Sequence, residues 1–288
     1  MRTCAYTVLQ NGVTSYMHFK KSPPLHKGFC FDPHNAKRIG EALNPGPEGE
    51  VHEQFLLEIA NVTQLANNAH VLCTRKFNAM VVSEHSLRPH QFQDAAKIFT
   101  KRCKLDLSGL DGNCSNQVGG TGLIMAGNSH IIKPQPINKD FAEINGKGRA
   151  GIYGIEVQKD VIVLVYIIYG ATNGDSCDQA AATTCDILSS VLQDAEQQED
   201  GPKIIVGDFN ASISRLTSLD QAIKEGAYFD IGSMASMYGG IDSDFTCRAS
   251  PTCKATRRDY VIANAAGLGL ISNFEVDHNS NIPVHDII

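Results

Sequence analysis

The run Val161–Tyr169, VIVLVYIIY, narrows the choice of folds more than any other stretch of this chain. It is far short of the roughly 20 residues a membrane helix needs, and it reads as a central strand. Residues 152–157 precede it, and the turn residues Gln158, Lys159 and Asp160 between the two predict a hairpin. A second buried strand opens the stretch 203–211, KIIVGDFNA. Ile204, Ile205 and Val206 are apolar, Gly207 lets the backbone leave the strand sharply, and Asp208, Phe209 and Asn210 follow at its mouth. Asp208 can ligand a hard cation or polarise a water, and Asn210 can donate a neutral hydrogen bond to a phosphate oxygen. Taken alone, the same residues are also ordinary turn formers.

Around these two strands the chain alternates apolar runs with longer connections. Residues 1–50 are rich in Pro, His, Gly and Lys, hold the turn-dense stretch NPGPEGE, and show no sustained period, which predicts a poorly ordered leader. From residue 54 an apolar strand ends at Asn61, and AMVVSEHSL gives another ending at Glu84; residues 65–78 between them suit a helix or crossover. Phe92, Ala95, Ala96 and Phe99 at helical spacing predict an amphipathic helix over 89–102. GGTGLIMA reads as a strand, 178–199 as a clear helix, and 216–225 as a short one. DFTCRAS (244–250), RRDYVIAN (257–264) and 271–276 are further strand candidates. Many strands with few helices suggest two packed sheets with helices outside, one α/β domain over 51–288.

Composition bounds the partners. The 288 residues are 42% hydrophobic, enough for a sizeable core, and the net charge of −6 argues against a general basic coat for nucleic acid, although local charge along a groove is invisible to such a sum. Nine cysteines lie scattered from Cys4 to Cys253 without a C-x-x-C pair or a Cys/His cluster at zinc spacing. Reduced thiols, an intracellular setting and no membrane contact are expected; the N-terminal segment lacks an apolar h-region.

Six strand ends carry polar residues directly after apolar runs: Asn61, Glu84, Tyr169, Asp208 with Asn210, Asp259, and His285. Carboxylates, amides, a phenol and an imidazole are what metal-assisted phosphodiester cleavage requires. Magnesium takes one or two protein carboxylates and completes its octahedron with waters and phosphate oxygens. It offsets charge developing on phosphorus and on the leaving oxygen, and a histidine held by an aspartate supplies proton transfer.

These motifs, in order, resemble the endonuclease/exonuclease/phosphatase superfamily, and within it the apurinic-like endonuclease domain of non-LTR retrotransposons. The matching segments are NVTQL at Asn61, SEHSL at Glu84, GGTGLIM, IYGATNG at Tyr169, VGDFNA at Asp208, RRDYVIAN at Asp259 and PVHDII at His285. The resemblance implies a DNase I-like, four-layer α/β sandwich of two mostly antiparallel sheets flanked by helices. It implies Glu84 as principal magnesium ligand, with manganese as a substitute, and Asn61 assisting at the metal. It implies further that Asp208 orients or deprotonates the attacking water, that Asn210 and Tyr169 contact the phosphate with Asn173 nearby, and that Asp259 holds His285. Arg257 and Arg258, beside Asp259, are candidates to meet a phosphate, or a solvated basic pair.

One departure concerns the last motif. Relatives show Ser-Asp-His, whereas Val284 precedes His285 here and Asp286 follows it. Asp286 is not expected to replace the missing acid, because neighbours in a strand point to opposite faces. The chain stops at Ile288, which suggests a fragment of a longer polyprotein or a truncated gene model, and RIGEALNPGP resembles the ribosome-skipping peptides found upstream of such domains, or is a plain Pro/Gly turn. The leading expectation is a magnesium-dependent endonuclease that nicks DNA, nuclear in setting, with a reverse transcriptase on the same polyprotein. The alternatives are a phosphatase of a small phosphoester or phosphoinositide, and a decayed, non-catalytic nucleic-acid-binding module.

Overall fold

The computed structural model describes residues 55–99, 103–110, 119–127, 130–248 and 254–278, together with the backbone of two strands near the N-terminus. Those strands, β1 (Thr3–Leu9) and β2 (Thr14–Lys20), lie within the stretch read as an unstructured leader. They are followed by β3 (Leu56–Asn61), helix α1 (Leu65–Leu72) and β4 (Ala79–Ser83). Helix α2 (Phe92–Ile98) leads to β5 (Cys103–Leu107) and β6 (Thr121–Ala126). Helix α3 (Lys139–Gly146) enters the hairpin of β7 (Ala150–Gln158) and β8 (Val161–Tyr169), and α4 (Asp178–Gln197) crosses to β9 (Lys203–Asp208). Helix α5 (Thr217–Lys224), β10 (Tyr228–Asp230), β11 (Asp259–Asn264), α6 (Ala265–Leu268), β12 (Ile271–Phe274) and β13 (Val276–Asp277) complete the described chain.

Two mixed sheets result. The eight-stranded sheet runs β12-β2-β13-β1-β3-β4-β6-β5 and the five-stranded sheet β10-β11-β9-β8-β7. β3 and β4 pair in parallel, as do β8 and β9, while β9–β11, β7–β8 and β4–β6 are antiparallel. Consequently the C-terminal ends of β3, β4, β8 and β9 and the N-terminal end of β11 all reach one end of the sandwich.

Three apolar layers fill the sandwich. Leu57, Ile59, Val81, Leu123, Ile155, Val165, Val206 and Val261 form the core between the sheets. Residues of opposite parity, such as Ile152, Tyr166, Ile205 and Ile262, pack on Ile187, Leu188, Val191 and Leu219 of α4 and α5. On the other sheet Ala60, Met80, Val82 and Ile124 meet Leu65, Leu72 and Ala95 of α1 and α2. The layering is helix, sheet, sheet, helix, the expected four-layer α/β sandwich.

Two expected elements differ. The helix predicted over 89–102 is a 3₁₀ turn, Pro89–Gln91, followed by an α-helix that ends at Ile98. The stretch 244–250 forms no strand among its described residues. The N–H groups of Thr246 and Cys247 both donate to Thr256 O, at 2.9 and 2.7 Å, and Cys247 and Thr256 form one isolated bridge.

Candidate active site

Strand alternation carries four polar side chains to one place. On β3 the inter-sheet row Leu57, Ile59 continues to Asn61; on β8 Val163, Val165, Ile167 continue to Tyr169. On β9 Ile204 and Val206 lead to Asp208, and on β11 Ala263 and Val261 lead back to Asp259. Tyr169 stands in register beside Asp208, which stands in register beside Asp259. Asn61 Nδ2 donates to Asp208 Oδ2 at 2.8 Å, joining the two sheets across the mouth.

Glu84 arrives by another route. Met80 and Val82 of β4 face the outer core, so plain alternation would send Glu84 away from the other sheet. The residue instead has φ +56°, outside the strand, and its carboxylate receives hydrogen bonds from Asn61, Tyr169 and Thr63. Asn210 is also left-handed, with φ +54°. Its N–H donates to Asp208 Oδ1 at 2.8 Å and its Nδ2 to Asp208 Oδ2 at 3.0 Å. Two non-glycine residues in this sparsely populated region at one mouth mark a strained, constrained site.

The electrostatics follow from burial. Glu84, Asp208 and Asp259 are 8%, 0% and 3% exposed, so their negative charges are desolvated together. Burial raises Glu84, against the pull of its hydrogen bonds and of Arg149. Asp208 rises to about 7, first by burial, with the Asn210 N–H opposing and the Glu84 charge adding. Asp259 is held well above the ordinary carboxylate range by burial and then by Asp208. The Tyr169 phenol is pushed upward by burial, then by Glu84 and Asp208. Cys247 rises to about 12, because it is buried and faces Asp259 and Asp208.

Of the other expected site residues, Asn173 is exposed in the loop after β8, at φ +67°. The Arg257 guanidinium pairs with both carboxylate oxygens of Asp230 and stacks 4.5 Å from the Tyr260 ring centre, so it is engaged away from the acidic cluster. Arg258 is bound to Asn210 O and Asp175. His285, with Val284 and Asp286, lies outside the described residues, as does the Asn-Pro-Gly-Pro stretch.

Thr63, Arg149, Asp175 and Thr246 belong to the site and were not anticipated. Thr63 donates to Glu84 Oε2 at 3.4 Å, and the Arg149 guanidinium lies 5.1 Å from the Tyr169 ring centre. Thr246 Oγ1 accepts the N–H groups of Arg258 and Asp259, at 2.6 and 2.8 Å. Only Arg149, a cation directly before an apolar strand, left a signal in the sequence. His85, beside Glu84, is no part of the site. It is fully buried and brought down to about 4 by that burial; Leu87 N–H donates to its Nδ1 at 3.0 Å, and its Nε2 meets Ser108 O at 2.9 Å.

Among the described residues no group of three or more His, Cys, Asp or Glu is placed to hold a metal. A hard cation that needs only one or two protein oxygens still fits the donor set. Glu84 and Asn61 supply oxygens at the mouth, and buried, mutually repelling carboxylates are what a divalent charge relieves.

No family model matches the sequence, and no curated protein does. Solved structures are similar in fold. An AP endonuclease from Archaeoglobus fulgidus matches at 13% identity and TM-score 0.52, covering 72% of this chain and 86% of that one. The catalytic domain of Xenopus laevis APE2 matches at 12% and 0.51, covering 73% and 82%. A mannosyl-6-phosphatase from Bacteroides thetaiotaomicron matches at 11% and 0.50, covering 73% and 85%. At such identities the likeness is one of architecture: the chain has the four-layer α/β sandwich fold of these structures.

Proposed function

We propose that this protein is a metal-dependent phosphodiesterase that nicks DNA, the endonuclease module of a retrotransposon-type protein. The observation that carries the reading is the convergence of Asn61, Glu84, Tyr169, Asp208, Asn210 and Asp259 at one end of the inter-sheet core. The neighbours in fold include an AP endonuclease and a phosphatase, which supports phosphoester hydrolysis. Among the described arginines, Arg88, Arg149 and Arg248 lie in loops at the site end, a placement that suits an extended polyanion.

Glu84 and Asn61 would hold magnesium or manganese, which when bound supplies charge neutralisation at the phosphate. Asp208, kept near neutral pH by burial, takes the proton of the attacking water on a carboxylate oxygen. Asn210 Nδ2 and the Tyr169 hydroxyl donate to phosphate oxygens and so orient the ester. Asp259 and His285 complete the set, with the histidine as proton carrier. In this reading a reverse transcriptase on the same polyprotein and a nuclear setting go with the module, and its domain is residues 51–288 together with β1 and β2, which pair into the same sheet.

Supercoiled plasmid tests the reading. Wild-type protein with magnesium should convert it to open circles, EDTA should stop the reaction, and Asp208→Ala should reduce the rate by about 10²–10⁴-fold. Hydrolysis of an inositol phosphate or a sugar phosphate, with plasmid untouched, would move the assignment to the phosphatase alternative. Inactivity on both would leave a nucleic-acid-binding module.

A further inference from the structure

One cation ties together the loops around Asn210. Arg258 donates from Nη1 to the backbone oxygen of Asn210 at 2.7 Å, from Nη2 to Asp175 Oδ2 at 3.0 Å and from Nε to Thr256 Oγ1 at 3.2 Å. Its own backbone is pinned as well: its N–H donates to Thr246 Oγ1 and its carbonyl accepts from Phe209 N–H at 2.9 Å. Asp175 is shared in turn. Its Oδ1 accepts from Ser212 N–H at 2.7 Å, and its carbonyl accepts from Arg215 Nη1 at 2.9 Å. The loop after β8, the loop after β9 and the segment before β11 therefore meet in one ion pair.

The residue gripped by this pair is the one that needs gripping. Asn210 is buried, holds φ +54°, and points its carboxamide at Asp208 Oδ2. A non-glycine residue keeps such a conformation only where its surroundings over-determine it. Gly174 N–H also donates to Asn210 O, at 3.0 Å, so this carbonyl is held from two sides. The Arg258 and Asp175 side chains are 18% and 32% exposed, which leaves the pair partly desolvated. A planar fork spans the Asn210 carbonyl and the Asp175 carboxylate together, as a lysine ammonium cannot.

We propose that Arg258 and Asp175 are positioning residues, which hold Asn210 and through it the Asp208 carboxylate in the hydrolytic arrangement without touching the substrate. The proposal rests on the hydrolase reading above. Steady-state plasmid nicking by wild type, Arg258→Ala, Arg258→Lys, Asp175→Asn, Asn210→Ala and the Arg258→Ala/Asn210→Ala double variant tests it. Arg258→Ala and Asp175→Asn should each lower kcat about 10- to 100-fold with KM within about threefold of wild type. Arg258→Lys should recover little. In the Asn210→Ala background Arg258→Ala should cost almost nothing more, and the salt dependence of KM should be unchanged.

A raised KM with unaltered kcat and a weaker salt dependence would make Arg258 a direct phosphate contact and overturn the proposal. So would a full multiplicative loss in the double variant. If Arg258→Ala does not fold by circular dichroism, Asp175→Asn, which keeps the side-chain shape, carries the test under the same criteria. An active wild type with unaffected Arg258 and Asp175 variants refutes the positioning role alone. An inactive wild type refutes the hydrolase reading and this proposal together.

Discussion

Gly207 of β9 stands opposite Ile168 of β8. Its φ is +129°, and a Cβ there would lie 2.1 Å from Ile168 O, so neither the conformation nor the space admits a side chain. Gly170, one residue past Tyr169, is confined in the same way, with Phe209 O 2.3 Å from its would-be Cβ. These two glycines let the chain carrying Tyr169 and the chain carrying Asp208 run side by side into the mouth. Gly207→Ala should therefore destabilise the protein by about 3 kcal/mol. Gly226→Ala, with φ +74° and nothing within 4 Å, should cost only about 1 kcal/mol. Urea midpoints of the two variants decide the matter, and equal midpoints would show that crowding at Gly207 has been overestimated. The sequence predicts that the backbone leaves the strand at this glycine, whereas β9 runs on through Asp208 with both residues still paired. That Gly207 is a point of contact is not legible in the sequence, because its neighbour, Ile168, lies on another strand.

Helix α4 shows how an element outside the site stabilises the sheet beneath it. Asp194 is fully buried on that helix. Its Oδ1 accepts the N–H groups of Ile137 and Asn138 at 2.6 and 2.8 Å, and its Oδ2 accepts the Tyr166 hydroxyl at 2.9 Å. Asn138 in turn caps α3 by accepting Phe141 N–H at 2.9 Å. One carboxylate thus joins α4, the entry to α3 and strand β8. Removing it leaves the buried Tyr166 hydroxyl and two part-buried backbone N–H groups without this partner, and Asp194→Ala should destabilise by about 3 kcal/mol, against less than about 0.5 kcal/mol for the exposed Asp186→Ala. Thermal melts of both variants measure this, and similar losses would refute it. Helix α4 was legible from its apolar stripe, Ile187, Leu188, Val191 and Leu192. Helix α3 was not, since Phe141 is its single fully buried side chain and so short an element has no periodic stripe to read. Strands β5 and β10 escaped for the related reason that they are short and partly exposed.

At the scale of the whole molecule, the sandwich concentrates negative charge at one end of its central core. Glu84, Asp208 and Asp259 lie together; burial drives all three pKa values up, and the neighbouring carboxylates add to the rise of Asp208 and Asp259. A divalent cation that binds the folded state there must stabilise it. With magnesium at 100 times its dissociation constant the gain is about 2.7 kcal/mol. Melting curves with magnesium and with EDTA should differ accordingly, and Glu84→Ala should abolish the difference without the plasmid assay being needed. An unchanged wild-type melting temperature in saturating magnesium would count against Glu84 and Asn61 as a metal site.

The sequence by itself determined that Asn61, Glu84, Tyr169, Asp208 and Asp259 stand at or next to strand ends, their order, and the two-sheet class, because apolar runs of strand length and the residues that end them are local properties. It did not decide which face each strand turns inward. Val161–Tyr169 and 204–206 are apolar on both faces, since each strand packs against the other sheet on one side and a helix on the other, so alternation leaves no mark in the residue types. Only the tertiary structure puts Asn61, Tyr169, Asp208 and Asp259 on the same inter-sheet rows. It also decides the partners of Arg257 and Arg258. The two are adjacent in sequence, yet one is spent on Asp230 and the other on Asp175 and Asn210, because successive residues entering a strand face opposite sides.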